Sequence, residues 1–400
     1  MKVVLTMIVK DEEHVIERAL QSCINLIDSY CIIDTGSTDN TKQVINDFFA
    51  KHKRISGEIV DFKFTTFEEC RNKSIEVGKN YGDWGFWIDA DEELQLNSKW
   101  NRNTFKSDVI KEKPDQILFD CIYGTLKYQR AQMFKFDSNY EWYGPVHEVL
   151  RSDKPNQKIV AFPYGNMFIR AEGNSWKTNI SEKYESHAEI LLKYQEDNNW
   201  EDPRWTFYLA QSYKDSALAL LTVDNKNEKG LDLAKKAVNF YRDRINAKGG
   251  FPQEVYYSQL MVARISYYFM SYEHVIYEFN KCEEYNWDNR IEHIYDLTTA
   301  YRNKDMWRNA KLIADHANNI IEKNLCRATL FMEKDLYTWR FYDNFSIILY
   351  YNGLIQESLK VTNWILSKYS KLMPEHERSR IENNKQLIEN ALAPAKGIQV

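Results

Sequence analysis

The spacing of apolar residues changes character once along this chain, and that change calls for two kinds of architecture in one molecule. From Val3 to about Ala90, short β-rich runs alternate with amphipathic stretches; the runs are VVLTMIV, SYCIID, GEIVDF and WGFWID. Strands separated by helical crossovers form a mostly parallel, Rossmann-like α/β sheet with helices on its faces. Between the first two runs, Val15, Ile16, Ala19, Leu20, Cys23 and Ile24 fall on one helical face, with Asp11 and Glu12 near the positive end of the helix dipole.

From about Asp202 the strand signals fade and helix pairs take over. Leu297, Tyr301, Ala310, Ala314 and Ala317 have the spacing of the packing positions in tetratricopeptide (TPR) repeats, whose period is about 34 residues. Ser346, Leu349, Gly353, Ser358 and Thr362 repeat part of that register. Leu209, Ala210, Tyr213, Ala237 and Tyr241 form an earlier, irregular unit. The expected domains are therefore an α/β domain over residues 1–195 and an all-α, TPR-like domain over 196–400, with the mixed segment 150–201 closing the first. Trp205, Tyr213 and Tyr241 are candidates for a concave binding surface, although core packing claims most aromatics in a chain with 26 Tyr, 20 Phe and 11 Trp.

At 400 residues, 44% hydrophobic and 28% charged, the chain is long enough for two cores and leaves little room for linkers. Its net charge of -5 argues against nucleic acid as a partner. The opening apolar run is too short for a membrane span and reads as the first strand. The six cysteines form no C-x-x-C pair, which suits a reducing, cytoplasmic location. Sequons at Asn179 and Asn344 carry no weight there.

The sharpest chemical feature is WGFWIDADEEL, an apolar strand ending in Asp89, Asp91, Glu92 and Glu93. Ligands of open α/β sheets gather at the carboxyl ends of strands, and four acids there repel one another unless a cation or donor group is near. Oxygen ligands suit Mg²⁺ or Mn²⁺. Taken alone, D-x-D is equally an acidic turn or helix cap. The turn TGSTDNT supplies small and Asx residues whose backbone amides can face an anion.

Taken in order, VVLTMIVKDEE, IIDTGSTDNT, FEECRNKS and WIDADEEL resemble the landmarks of family 2 glycosyltransferases with the GT-A fold. The resemblance implies that Lys10, Asp11, Glu12 and Asp34 line a nucleotide base pocket and that Arg71 lies near the base or diphosphate. It also implies that Asp89 and Asp91 handle ribose and metal, in a nucleotide-sugar donor site expected to take UDP. Where such families commonly show Asp-Asp-Gly-Ser, this chain has Asp34-Thr35-Gly36-Ser37.

Downstream, Gly144-Pro145-Val146-His147-Glu148 resembles a segment of a subgroup that joins this domain to TPR-like helices, including peptide S-glycosyltransferases that modify bacteriocins. That likeness implies a metal or diphosphate contact for His147. An inverting transfer needs a carboxylate base; Glu148 is the candidate, unless it orients His147 instead, with Glu172 and Asp120 as alternatives. The helical half would present a protein, peptide or glycan acceptor, form a homodimer, or buttress the active site. The rival reading is a TPR scaffold with a catalytically silent nucleotide-binding domain.

Overall fold

The computed structural model describes residues 1–123, 126–169 and 179–393, and the chain divides into two compact units, Met1–Asp197 and Asn198–Val400.

The first unit opens with β1 (Val3–Val9), α1 (Ile16–Cys23), β2 (Ser29–Asp34), α2 (Thr41–Lys51), β3 (Ser56–Asp61), α3 (Phe67–Gly78) and β4 (Trp84–Trp87). It continues with β5 (Glu92–Leu96), α4 (Arg102–Glu112), β6 (Gln116–Tyr123), β7 (Leu126–Lys135), the hairpin β8 (Tyr140–Tyr143) and β9 (Val149–Ser152), β10 (Ile159–Ile169) and α5 (Ile180–Asp197). Eight strands form one sheet in the order β3-β2-β1-β4-β7-β6-β10-β5. Pairing is parallel from β3 through β4 and between β6 and β10, and antiparallel at β4/β7, β6/β7 and β5/β10.

The period-two pattern of β1 explains why both faces of the sheet must be covered. Val3, Leu5, Met7 and Val9 enter a core with Ile16, Ala19, Leu20 and Cys23 of α1, the helical face expected from the sequence. Val4 points the other way, into a second core with Ile75 of α3, Trp87, Phe134 and Trp142. Each fully buried aliphatic or aromatic side chain contributes about 1.5–3 kcal/mol, so a one-residue slip of β1 would forfeit several at once. The register sets Val9 beside Asp34 and Asp34 beside Asp61, so the carboxyl ends of β1, β2 and β3 share one sheet edge.

The second unit comprises α6 (Pro203–Leu221), α7 (Glu228–Asn246), α8 (Pro252–Ser266), α9 (Tyr272–Lys281), α10 (Glu292–Arg302), α11 (Trp307–Glu322), α12 (Phe341–Tyr351), α13 (Ile355–Tyr369) and α14 (Glu375–Leu392), with short 3₁₀ and π segments between them. Consecutive helices pack as pairs. Ala310, Ala314 and Ala317 are buried with Ile291, Ile294 and Phe345, as small residues at repeat packing positions should be. Gly353 departs from that expectation: it is the turn residue between α12 and α13, at φ +79, where an L side chain is disfavoured. Trp205, Tyr213 and Tyr241 are buried and line no surface. Among the described residues, no helix is long and apolar enough to cross a membrane.

Candidate active site

Two loops at the carboxyl edge of the parallel strands are tied to each other. Asp11, at φ +55, accepts at Oδ1 from the Thr38 amide at 2.6 Å, the Thr38 hydroxyl at 3.2 Å and the Asp39 amide at 3.3 Å. Its own amide donates to Ser37 Oγ at 3.0 Å. The Glu12 amide donates to Thr41 Oγ1 at 2.7 Å, the Glu13 amide to Asp39 Oδ2 at 3.1 Å, and Glu13 Oε2 takes two bonds from Asn40. Asp11 and Glu12, expected to line a base pocket, thus give these groups to loop closure. Charge-assisted bonds to backbone amides hold two otherwise independent turns together. Glu13, Asp39 and Thr41 carry no signal of their own in the sequence; TGSTDNT announces turn-forming side chains but not their distant partners.

Asp34 sits at the end of β2, almost fully buried. Its Oδ1 accepts from the amides of Gly36 at 2.9 Å and Ser37 at 2.8 Å, an Asx turn that Gly36 permits by adopting φ +108. Its Oδ2 is buried with no hydrogen-bond partner. Lys10 is exposed beside this edge.

The second element is the acid-bearing turn. β4 stops at Trp87 and β5 starts at Glu92, so Asp89 and Asp91 lie in the connection while Glu92 turns into the sheet. Glu92 is buried and accepts from Arg130 Nη2 at 2.7 Å and from the Asp89 amide at 3.2 Å. Burial pushes its carboxyl up, against the pull of Arg130. Arg130 is also bonded to Gln132, whose Nε2 donates to the Trp87 carbonyl at 2.7 Å.

Arg71 of α3 ties this turn to the third element, the segment Trp142–Glu148. Its Nη2 donates to Asp89 Oδ1 at 2.9 Å and its Nε to Glu148 Oε1 at 2.5 Å. The guanidinium carbon lies 4.8 Å from the Trp87 ring centroid and 4.9 Å from that of Trp142, and Arg130 covers Trp87 at 4.3 Å. Burial penalises the Arg71 cation, but the charges of Asp89 and Glu148 outweigh that penalty and hold it firmly protonated.

Arg71, Asp89 and Glu148 are therefore brought together, although 77 residues separate the first from the last. Two of the Arg71 nitrogens are committed to carboxylates and the residue is buried. His147 is exposed, at φ +54, with its ring 5.9 Å from and edge-on to that of His187 on α5. Burial lowers the His187 imidazole to about 4, so that ring is neutral near pH 7. Among the described residues, no three His, Cys, Asp or Glu side chains are grouped to hold an ion by themselves. Asp120 accepts from Gln129 at 3.3 Å, and Glu172 lies outside the described residues.

Residues 5–100 match the family model for glycosyl transferase family 2, a span that runs from within β1 through β5 and holds every residue of the acid turn. The first unit thus carries a family 2 glycosyltransferase domain, followed by a TPR-like helical unit. The chain is 29% identical over 175 residues to a TPR repeat-containing protein of Synechococcus elongatus, covering 40% of each. It is 26% identical over 254 residues to the prophage-derived glycosyltransferase SunS of Bacillus subtilis, covering 59% of this chain and 53% of SunS. The chain spans about half or less of the length of these curated relatives. Among solved structures it resembles residues 1–349 of S. aureus TarS, at 12% identity and a TM-score of 0.37, over 76% of this chain and 92% of that one.

Proposed function

We propose that this protein transfers a sugar from a nucleotide-sugar donor, with UDP-sugars the first to test, and that the donor binds at the carboxyl edge of β1, β2 and β4. One observation carries the reading: the Arg71–Asp89–Glu148 cluster joins the acid turn to the Trp142–Glu148 segment at that edge. Asp89, Asp91, Glu92 and Glu148 gather near this edge, and Arg71 and Arg130 are bonded to three of these carboxylates. A divalent cation would add countercharge for the departing diphosphate.

The Asp89 side chain keeps 36% of its surface exposed despite its bond to Arg71, so an oxygen remains for ligation. Mn²⁺ or Mg²⁺, bound by Asp91 with His147 as a further ligand and otherwise by diphosphate and water, would supply electrostatic stabilisation of the departing nucleoside diphosphate. A cation bound in this way needs few protein ligands.

Asp34 serves the base. A buried carboxylate oxygen with no partner costs about 1–3 kcal/mol, which an N–H donor of a bound base would recover once the pocket opens to it. Lys10 flanks the same pocket, and Asp11 and Glu12 shape it through the loop closure. Arg71 acts through Asp89 and Glu148. Glu148 remains our base for an inverting transfer: Oε1 is held by Arg71, and Oε2 is left for the acceptor proton. The six cysteines are all free thiols, which supports a cytoplasmic setting.

The test is release of nucleoside diphosphate from a panel of nucleotide sugars with Mn²⁺, Mg²⁺ or chelator, comparing wild type with Asp91→Ala. Metal-dependent release that the variant loses is the expected result. A folded protein that neither binds nor turns over any donor would overturn the reading, and donor binding without release would favour the silent scaffold.

A further inference from the structure

One face of α3 holds the Trp142–Glu148 segment at three points. Glu68, Arg71 and Asn72 occupy positions i, i+3 and i+4 of the helix, which lie on one side of it. Glu68 Oε2 accepts from the Gly144 amide at 2.8 Å. Asn72 Oδ1 accepts from the Trp142 amide at 2.8 Å, and Asn72 Nδ2 donates to the Trp142 carbonyl at 2.8 Å. Arg71 holds Glu148 and the Trp142 ring.

The Asn72 pair is the one a neighbouring strand would make. Trp142 pairs with Leu150 of β9 on its other side, so a side-chain amide completes an edge that would otherwise lack a ladder partner. The segment needs such support. Gly144 adopts φ +110 and His147 φ +54, and a non-glycine residue in the left-handed region costs on the order of 1–2 kcal/mol. Local chain preferences therefore oppose the conformation that presents His147 and Glu148. Thr66 caps α3 by accepting from the Glu69 amide at 3.1 Å, so the rack has a defined start.

Building on the sugar-transfer reading, we infer that Glu68 and Asn72 are positioning residues: they clamp the Trp142–Glu148 backbone so that Glu148 reaches Arg71, and through Arg71 the acid turn. Neither need touch donor or acceptor. Their contribution falls on turnover, which requires the carboxylate in place, and not on donor affinity, which resides at the sheet edge.

The experiment compares Asn72→Ala, Glu68→Ala and Glu68→Gln with Glu76→Ala, an exposed position on the same helix. Hydrogen exchange of peptides spanning residues 142–148 is read beside nucleoside diphosphate release and donor affinity in the intact protein. Asn72→Ala and Glu68→Ala are expected to speed exchange in that segment by about tenfold or more, with α3 itself still protected. They are also expected to lower kcat about tenfold or more while donor Kd stays within about threefold. Glu68→Gln, which keeps an oxygen acceptor for the Gly144 amide, should restore both, and Glu76→Ala should behave as wild type.

Unchanged exchange in both alanine variants overturns the clamp. A loosened segment with wild-type kcat overturns its catalytic role. Wild-type protein that binds donor without releasing diphosphate would sink the transfer reading and the catalytic role with it, while the exchange arm still decides the clamp.

Discussion

Both units bury arginines against carboxylates, and they do so to different ends. In the second unit the Arg290–Glu292 pair is closed. Arg290 and Glu292 are 1% and 0% exposed, joined by bonds of 2.7 and 3.2 Å, and the remaining valences go to the carbonyls of Leu330 and Phe331 and to the Tyr337 hydroxyl. Arg244 and Glu254 are as deeply buried, with Arg244 Nη1 left without a hydrogen-bond partner. In the first unit Arg71 and Arg130 are 8% and 20% exposed, Asp89 reaches solvent and Glu148 keeps an oxygen unbonded. A neutral, satisfied pair fixes a fold; a partly open cluster leaves capacity for a ligand.

The largest expected effects come from breaking each kind of cluster. Removing one partner of a buried ion pair costs about 3–5 kcal/mol, so Arg71→Ala and Arg290→Ala should both lower the denaturant midpoint strongly. They should part in function: Arg71→Ala abolishes diphosphate release even where folded, whereas Arg290→Ala retains it per folded molecule. Equal loss of turnover in both would erase the contrast.

Next comes Asp91→Asn, which removes the charge of the side chain proposed to bind the metal. Release should fall roughly 10²–10³-fold, as when a key electrostatic group is lost, while Tm stays within a few degrees of wild type. A fall in Tm of several degrees would reassign Asp91 to structure.

Helix caps offer a smaller comparison. Thr66 caps α3 and Asp202 caps α6, the latter accepting from the Arg204 amide at 2.9 Å. Alanine at either should cost about 1 kcal/mol. Only Thr66→Ala should lower kcat beyond its effect on stability, since α3 carries the clamp.

The smallest effect is one of pH. Asp115, at the opposite edge of the first sheet, is held well below the usual carboxylate range by the Lys158 amide, the Ser138 hydroxyl and Lys154. Because the folded state releases this proton more readily than the unfolded chain, the stabilisation is present above about pH 4 and is lost as pH falls below it. Asp115→Asn should flatten the acid limb of a stability–pH curve and leave diphosphate release untouched at pH 7. Reduced release there would mean that structural charges of the first unit are not separable from its site.

Much of the first unit was legible because its signals are local. The runs VVLTMIV and SYCIID became β1 and β2, and the face from Val15 to Ile24 became the buried side of α1, since side-chain period follows directly from backbone geometry. The acids after WGFWI were visible for the same reason. The arginines among them were not: the fold brings Arg71 and Arg130 from elsewhere in the chain, 18 and 38 residues from the acids they meet. Gly353 shows the converse error, a register match that proved to be a turn.

By itself, the sequence determined where strands yield to helices, which residues face the core, and that carboxylates cluster after β4, because each follows from period and composition within a short window. Only the tertiary structure decided that Asp11 closes a loop, that Glu68 and Asn72 grip a segment about 70 residues downstream, and that Arg71 stands between two acids. Those contacts join groups whose separation along the chain carries no periodic signal, and they exist only once the sheet edge and α3 bring the loops within hydrogen-bond distance.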